Sequence, residues 1–149
     1  MFKGTTMKTT VTFVSYYKSL VNHLPASLKK QLPKQVAVVA ISEQKSRELN
    51  RSYRKKDTAT NVLSFRYGPD EGEILVCPTV IRREAKEQGH SYDYQMTRMI
   101  LHGMIHLAKL HHERRGDHIK RFERIEKRIL DQLFSSKVKS QISKRQLKS

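Results

Sequence analysis

The chain has a single cysteine, Cys77, among 149 residues. It can form no internal disulfide, and one thiolate cannot build a cysteine-rich zinc cluster, so a reducing cytoplasm is the expected setting. Tryptophan is absent, and aromatic residues make up 7% of the chain, with no recognisable base-stacking motif. No apolar run is long enough to span a bilayer, and the first 25 residues lack the apolar core of a signal peptide. Nor is there a long basic segment with Trp or Phe on its opposite face, which argues against a membrane-surface protein. Acidic residues are also scarce: 14 Asp+Glu stand against 30 Lys+Arg, for a net charge of +16. A field of that sign attracts polyanions, and RNA or DNA is the first candidate. The length fits one domain, and 37% hydrophobic residues suffice for a compact core under a wet surface.

The order of elements follows from periodicity and punctuation. Lys8 to Phe13 is rich in Val and Thr and predicts a first strand. Tyr16, Leu20, Val21 and Leu24 then recur at helical spacing, predicting a helix over 15–32 interrupted at Pro25. Gln35 to Ile41 is almost continuously apolar, which predicts a central strand covered on both faces. Ser42 is placed to cap a helix running to about Tyr53, with Leu49 facing inward. Asn61–Phe65 and Glu73–Cys77 flank the turn cluster Gly68–Gly72 and read as an antiparallel hairpin. Pro78 opens a further helix and Gly89 closes it. Ser91 or Asp93 caps the next, which runs to about Leu110 and buries Met96, Met99, Ile100, Met104 and Leu107. A last helix begins near Asp117, with Phe122, Ile125, Ile129 and Leu133 on one side. The expectation is an α+β domain with a small mixed sheet of about four strands and about five helices. It occupies residues 1–134, and a basic tail at 135–149 carries Lys137, Lys139, Lys144, Arg145 and Lys148.

Five of the seven histidines lie between 102 and 118. His102 and His106 are four apart, so a helix stacks them on one face. A lone helical His is ordinarily a partly buried polar tip. Two beside an apolar stripe call for a shared partner, because buried polar groups cost free energy unless paired. With His112 just beyond the helix, three imidazoles can hold one zinc ion and leave its fourth position open, as in a catalytic site. Copper and nickel also accept imidazole, but zinc needs no redox partner. His111 and His118 are alternatives for the third ligand. One zinc-protease class has the same spacing, with Glu directly after the first His as general base. Here that residue is Gly103, which cannot move a proton, so peptide hydrolysis by that route is disfavoured. A helix-interior glycine costs roughly 0.5–1 kcal/mol against alanine, and close packing against a neighbour would explain it.

These residues resemble the YbeY-type endoribonucleases, a zinc-dependent family linked to ribosomal RNA maturation. The family run His-Gly-x-x-His-Leu-x-Gly-x-Asp-His is matched at His102, Gly103, His106, Leu107 and His112. Lys109 stands where the family has Gly, and His111 where it has Asp. The Gly-to-Lys change predicts either a different turn or a strained left-handed lysine. A second segment is matched by Leu49, Asn50, Tyr53, Arg54, Lys56 and Asp57, followed by Thr60-Asn61-Val62-Leu63-Ser64-Phe65. Ala59 replaces the usual proline, and Gly72-Glu73-Ile74 loosely matches a Gly-Asp-Ile piece.

The resemblance implies one zinc per chain on His102, His106 and His112. It implies that Arg54 is the catalytic guanidinium, with Lys55 and Lys56 extending the positive surface along RNA. Arginine suits the role because its planar, always-charged fork matches phosphate oxygens. Asp57 and Asn61 are expected to order their loop through side-chain-to-backbone bonds. The implied function is a cytoplasmic, metal-dependent, single-strand endoribonuclease acting in small-subunit ribosomal RNA processing and ribosome quality control. Its partners would be ribosomal RNA and the small ribosomal subunit. Two alternatives remain: a non-catalytic, zinc-containing assembly factor that docks on ribosomal RNA, and a metalloprotease. RNA contact is expected to run through the phosphate backbone, with weak sequence preference.

Overall fold

A computed structural model describes residues 11–109 and 120–135. The chain divides into two compact units, 1–113 and 114–149. The first contains α1 (Val11–Val21), α2 (Ala26–Lys29), β1 (Gln35–Ala40), α3 (Glu43–Arg54), β2 (Val62–Arg66), β3 (Glu71–Val76), α4 (Pro78–Gln88) and α5 (Tyr92–Lys109). The second contains α6, a helix over 120–135, where Phe122, Ile125, Ile129 and Leu130 are buried at helical spacing. Lys127 and Asp131 pair across one turn of it at 3.0 Å. The fold is α+β, as expected, with three strands among the described residues rather than four.

The sheet order is β1-β3-β2, with β1 parallel to β3 and β2 antiparallel to it. The expected hairpin is therefore present, pairing Ser64 with Ile74 and Phe65 with Glu73. Central placement falls to β3 rather than β1, which corrects the reading of Gln35–Ile41. Residues 72–76 of β3 are all buried, whereas Gln35 and Ala40 at the ends of β1 are exposed. Glu71 and Glu73 disguise β3 in the sequence, but the buried Glu73 carboxylate accepts a 2.6 Å hydrogen bond from the Tyr67 hydroxyl.

The strand expected over 8–13 is also corrected. Residues 11–13 begin α1, and Lys8 to Thr10 lie outside the described residues. Val, Thr and Phe favour strands only weakly, and tertiary packing overrides the preference. Phe13 and Leu20, two helical turns apart, are both buried, a pattern that only a helix puts on one side. The long helix expected over 15–32 is broken into α1 and α2, with Pro25 at the N-cap position of α2.

The two sheet faces have different covers. On one face Leu49 of α3 joins Val39, Leu63 and Leu75 in an apolar cluster, with Phe65 packed against it. On the other, Gly103 of α5 lies against Ile74 and Ser64, and Leu107 lies near Gly72. Among the described residues, no helix is long and apolar enough to cross a membrane.

Candidate metal and RNA site

Helix α5 begins where expected. The Ser91 hydroxyl accepts the Tyr94 amide at 3.0 Å, and Thr97 donates to the Asp93 carbonyl one turn on. Tyr16 of α1 donates to Asp93 at 2.5 Å, tying the start of the helix to α1. Helix α5 is described over eighteen residues, Tyr92–Lys109. Met96, Ile100, Leu101 and Met104 are completely buried along the inner side.

Gly103 is what seats the helix on the sheet. A β-carbon there would lie 2.9 Å from Ile74 Cγ2 and 3.0 Å from Ser64 Oγ, closer than packed atoms allow. The Ser64 hydroxyl also donates to the Gly103 carbonyl at 3.3 Å. The close approach expected from the sequence is thus real. At the far end, the Arg66 guanidinium donates to the Leu107 carbonyl at 2.8 Å and to the Gln31 carbonyl at 2.6 Å. Its Nε donates to the Gly68 carbonyl at 3.0 Å.

His102 and His106 are both exposed on the outer side of this anchored helix, not buried beside the apolar stripe as expected, and their Nε2 atoms meet in a 2.9 Å hydrogen-bond contact. The rings meet edge-on, with centroids at 4.5 Å and an interplanar angle of 69°. Two nitrogens held on one zinc at tetrahedral bonds of about 2.0–2.1 Å would lie about 3.3 Å apart. The pair needs to open by only about 0.4 Å, so the donors fit a shared zinc. His112, the expected third ligand, lies outside the described residues, as do the alternatives His111 and His118. Among the described residues no group of three or more metal-ligating side chains occurs.

Arg54 is the last residue of α3 and is exposed, as are Lys55 and Lys56. Its helix starts on the expected cap, the Ser42 hydroxyl accepting the Lys45 amide at 3.1 Å. The helix ends on Lys55, which is left-handed (φ 61°). A non-glycine residue there costs about 1–2 kcal/mol, so the turn that presents Arg54, Lys55 and Lys56 is held by its surroundings. The loop residues doing this are not the ones expected. Asp57 pairs with the Arg47 guanidinium at 2.9 and 3.1 Å, which holds its carboxyl below the usual range. The Asn61 side chain donates to Glu84 at 2.9 Å. Side-chain-to-backbone bonds come instead from the preceding helix. Asn50 donates to the Thr58 carbonyl at 2.8 Å, and the Ser46 hydroxyl bridges the Thr60 carbonyl and amide at 2.7 and 2.8 Å. Arg47 and Glu84, on long side chains, reach Asp57 and Asn61 from other turns of the chain.

The structure places Arg54 and the histidine pair on helices that cover opposite faces of the sheet. They share a boundary at β2, which is the last strand in the order β1-β3-β2. Tyr53, next to Arg54, packs its ring edge-on against Phe65 of β2, at 5.0 Å between centroids. The neighbouring Ser64 meets Gly103, next to His102. One short stretch of β2 thus separates the two expected parts of the site.

Known proteins are similar to this chain over much of its length. A family model described as Endoribonuclease YbeY matches residues 3–134. A curated Endoribonuclease YbeY of Aquifex aeolicus is 36% identical over 105 residues, covering 66% of this chain and 70% of the relative. Another, from Aromatoleum aromaticum, is 40% identical over 99 residues, covering 64% of each chain. A Thermotoga maritima protein with a known solution structure superposes with a TM-score of 0.57 at 26% identity, covering 85% of this chain and 87% of its own. With its histidine helix seated on the sheet through Gly103 and a family match running from residue 3 to residue 134, the chain belongs to the YbeY endoribonuclease family.

Proposed function

We propose that this protein is a metal-dependent, single-strand endoribonuclease that processes small-subunit ribosomal RNA and serves ribosome quality control in the cytoplasm. The observation that carries the reading is the convergence of the His102 and His106 Nε2 atoms to 2.9 Å on the exposed side of α5. That side-chain pairing, on a helix fixed by Gly103 and Arg66, supports a divalent-cation site there. His112 completes the ligand set in this reading. A zinc ion held there supplies Lewis acidity toward a phosphodiester and activates water near neutral pH.

The protein's own groups do the rest. His102 and His106 would hold the ion through their Nε2 atoms, which already face each other. As a P–O bond of the RNA opens, negative charge grows on the phosphate oxygens, and Arg54 meets that charge with two parallel N–H donors. Arg54 stays available because Asp57, the nearest acidic residue in sequence, is engaged by Arg47. Lys55 and Lys56 neutralise neighbouring phosphates and steepen the salt dependence of binding.

The test is cleavage of an end-labelled single-stranded RNA, with and without a chelator, by the wild type and by Arg54→Ala. Cleavage that the chelator stops and that Arg54→Ala lowers by about 100-fold or more, with metal content unchanged, supports the reading. RNA binding with no cleavage at any metal concentration would instead leave a ribosomal RNA-docking assembly factor. Cleavage by Arg54→Ala at the wild-type rate would remove Arg54 from the chemistry.

A further inference from the structure

Sequence composition gave no sign of a surface on which nucleobases stack. The folded chain builds one from residues that are not adjacent. Along β2 and just beyond it, Leu63, Phe65 and Tyr67 alternate onto the sheet face opposite α5. Leu63 is covered by Leu49 of α3, but Phe65 and Tyr67 are only half-buried. Tyr53, from the last turn of α3, stands at their edge with 59% of its surface exposed. It is the one large apolar side chain among the described residues that is exposed to this extent. Its ring meets Phe65 edge-on at 5.0 Å, with 66° between the planes, so Phe65 braces it from one side. Tyr67 is fixed by its hydroxyl, which donates to the buried Glu73 carboxylate at 2.6 Å. Burial first, then that bond, push the Tyr67 hydroxyl well above its ordinary value, so the ring stays neutral.

Each ring is therefore anchored and leaves part of its surface to solvent. Arg54, Lys55 and Lys56 follow Tyr53 directly and are all exposed. Aromatic faces bordered by guanidinium and ammonium groups match one ligand chemistry closely: unpaired bases on a phosphate backbone. A protein partner is the less suited occupant. An interface core depletes charge, whereas here three cations in a row border the rings.

We propose that Tyr53, braced by Phe65 and flanked by Tyr67, is a base-stacking platform that binds one or two unpaired nucleotides of single-stranded RNA beside Arg54. The proposal rests on the RNA reading above and deepens it. The strand is gripped through its bases on the α3 face, next to the turn that carries Arg54, and this selects single strands because a paired base cannot present its face.

The test measures binding rather than cleavage, in a chelator so that no strand is cut. A fluorescently labelled eight-nucleotide oligouridine and an abasic ribose-phosphate oligomer of the same length are titrated by anisotropy. The expected result is that Tyr53→Ala and Tyr53→Leu weaken oligouridine binding on the order of tenfold or more, while Tyr53→Phe does not. Binding of the abasic strand stays unchanged in all three. Tyr53→Leu keeps the apolar contact with Phe65 and removes only the π-face, and a thermal melt of each variant checks the fold. The slope of affinity against salt is unchanged by Tyr53→Leu, and Lys56→Ala lowers it by about one. Equal losses for both strands, or no loss for oligouridine, would overturn the platform. A wild type that binds oligouridine through Tyr53 but never cleaves RNA would sink the endoribonuclease reading and leave the platform standing.

Discussion

Replacing Gly103 with alanine separates two opposing effects with known sizes. Glycine in a helix interior is less favourable than alanine by about 0.8–1 kcal/mol, so propensity alone predicts a more stable protein. Packing predicts the opposite. The added methyl would sit 2.9 Å from Ile74 Cγ2, 3.4 Å from Ile74 Cγ1 and 3.0 Å from Ser64 Oγ. Ile74 is completely buried in the central strand, and its β-branched side chain has little rotamer freedom with which to yield. Forcing a methyl group into such a core costs about 1–3 kcal/mol. The clash is relieved only if α5 lifts off the sheet, which stretches the 3.3 Å bond from Ser64 to the Gly103 carbonyl. Packing wins on these magnitudes, and Gly103→Ala should be destabilised by about 1 kcal/mol net. For a domain of this size that lowers Tm by about 3–5 °C, read by far-ultraviolet circular dichroism at constant scan rate. Because His102 is the adjacent residue, metal affinity should fall as well. An alanine variant that melts above the wild type would show that propensity governs the site and that the close approach of α5 does not matter.

Four further outcomes follow from the same structure. Arg66→Ala removes the donors to the Leu107, Gln31 and Gly68 carbonyls and should cost about 2–3 kcal/mol. Amide exchange at the end of α5 should quicken more than in α4, and unchanged exchange there would deny Arg66 its role as a clamp. Gly89→Ala should lose about 1–2 kcal/mol through its left-handed backbone alone (φ 72°), since nothing lies within 4 Å of the added methyl. Burial holds the hydroxyl of Tyr17 up to about 12, and burial together with an Asp93 bond raises Tyr16 further. Folded values above the unfolded one mean stability that is complete below about pH 10 and lost as pH rises past it. Alkaline denaturation monitored by tyrosinate absorbance should show native rings ionising later than unfolded ones, and ordinary titration in the native state would contradict this. Asp57→Asn should lower oligouridine affinity less than Arg54→Ala does, because Asp57 bonds Arg47 rather than RNA; anisotropy compares the two directly.

Much of this arrangement is legible in the sequence. Ser42, Ser91 and Gly89 mark helix ends because their local chemistry satisfies orphan backbone groups, and all three do so here. The hairpin was legible from turn residues between apolar runs, and the His102–His106 pair from helical geometry. What escaped depended on distant partners. Glu73 looks too polar for a central strand until Tyr67 is seen to satisfy it. Asp57 and Asn61 suit local turns, yet Arg47 and Glu84 reach them first. Arg66 was one basic residue among 30, distinguished only by three carbonyls that folding brings around it. The gathering of Tyr53 with Phe65 needed both the end of α3 and the pleat of β2, and no local spacing encodes it.

A cation shared by His102 and His106 is tested by elemental analysis of protein purified without added metal. The wild type should carry about one zinc per chain, and His106→Ala should lose it while keeping the wild-type helical spectrum. Wild-type protein free of stoichiometric metal after reconstitution, or a His106→Ala variant that retains a full equivalent, would contradict it.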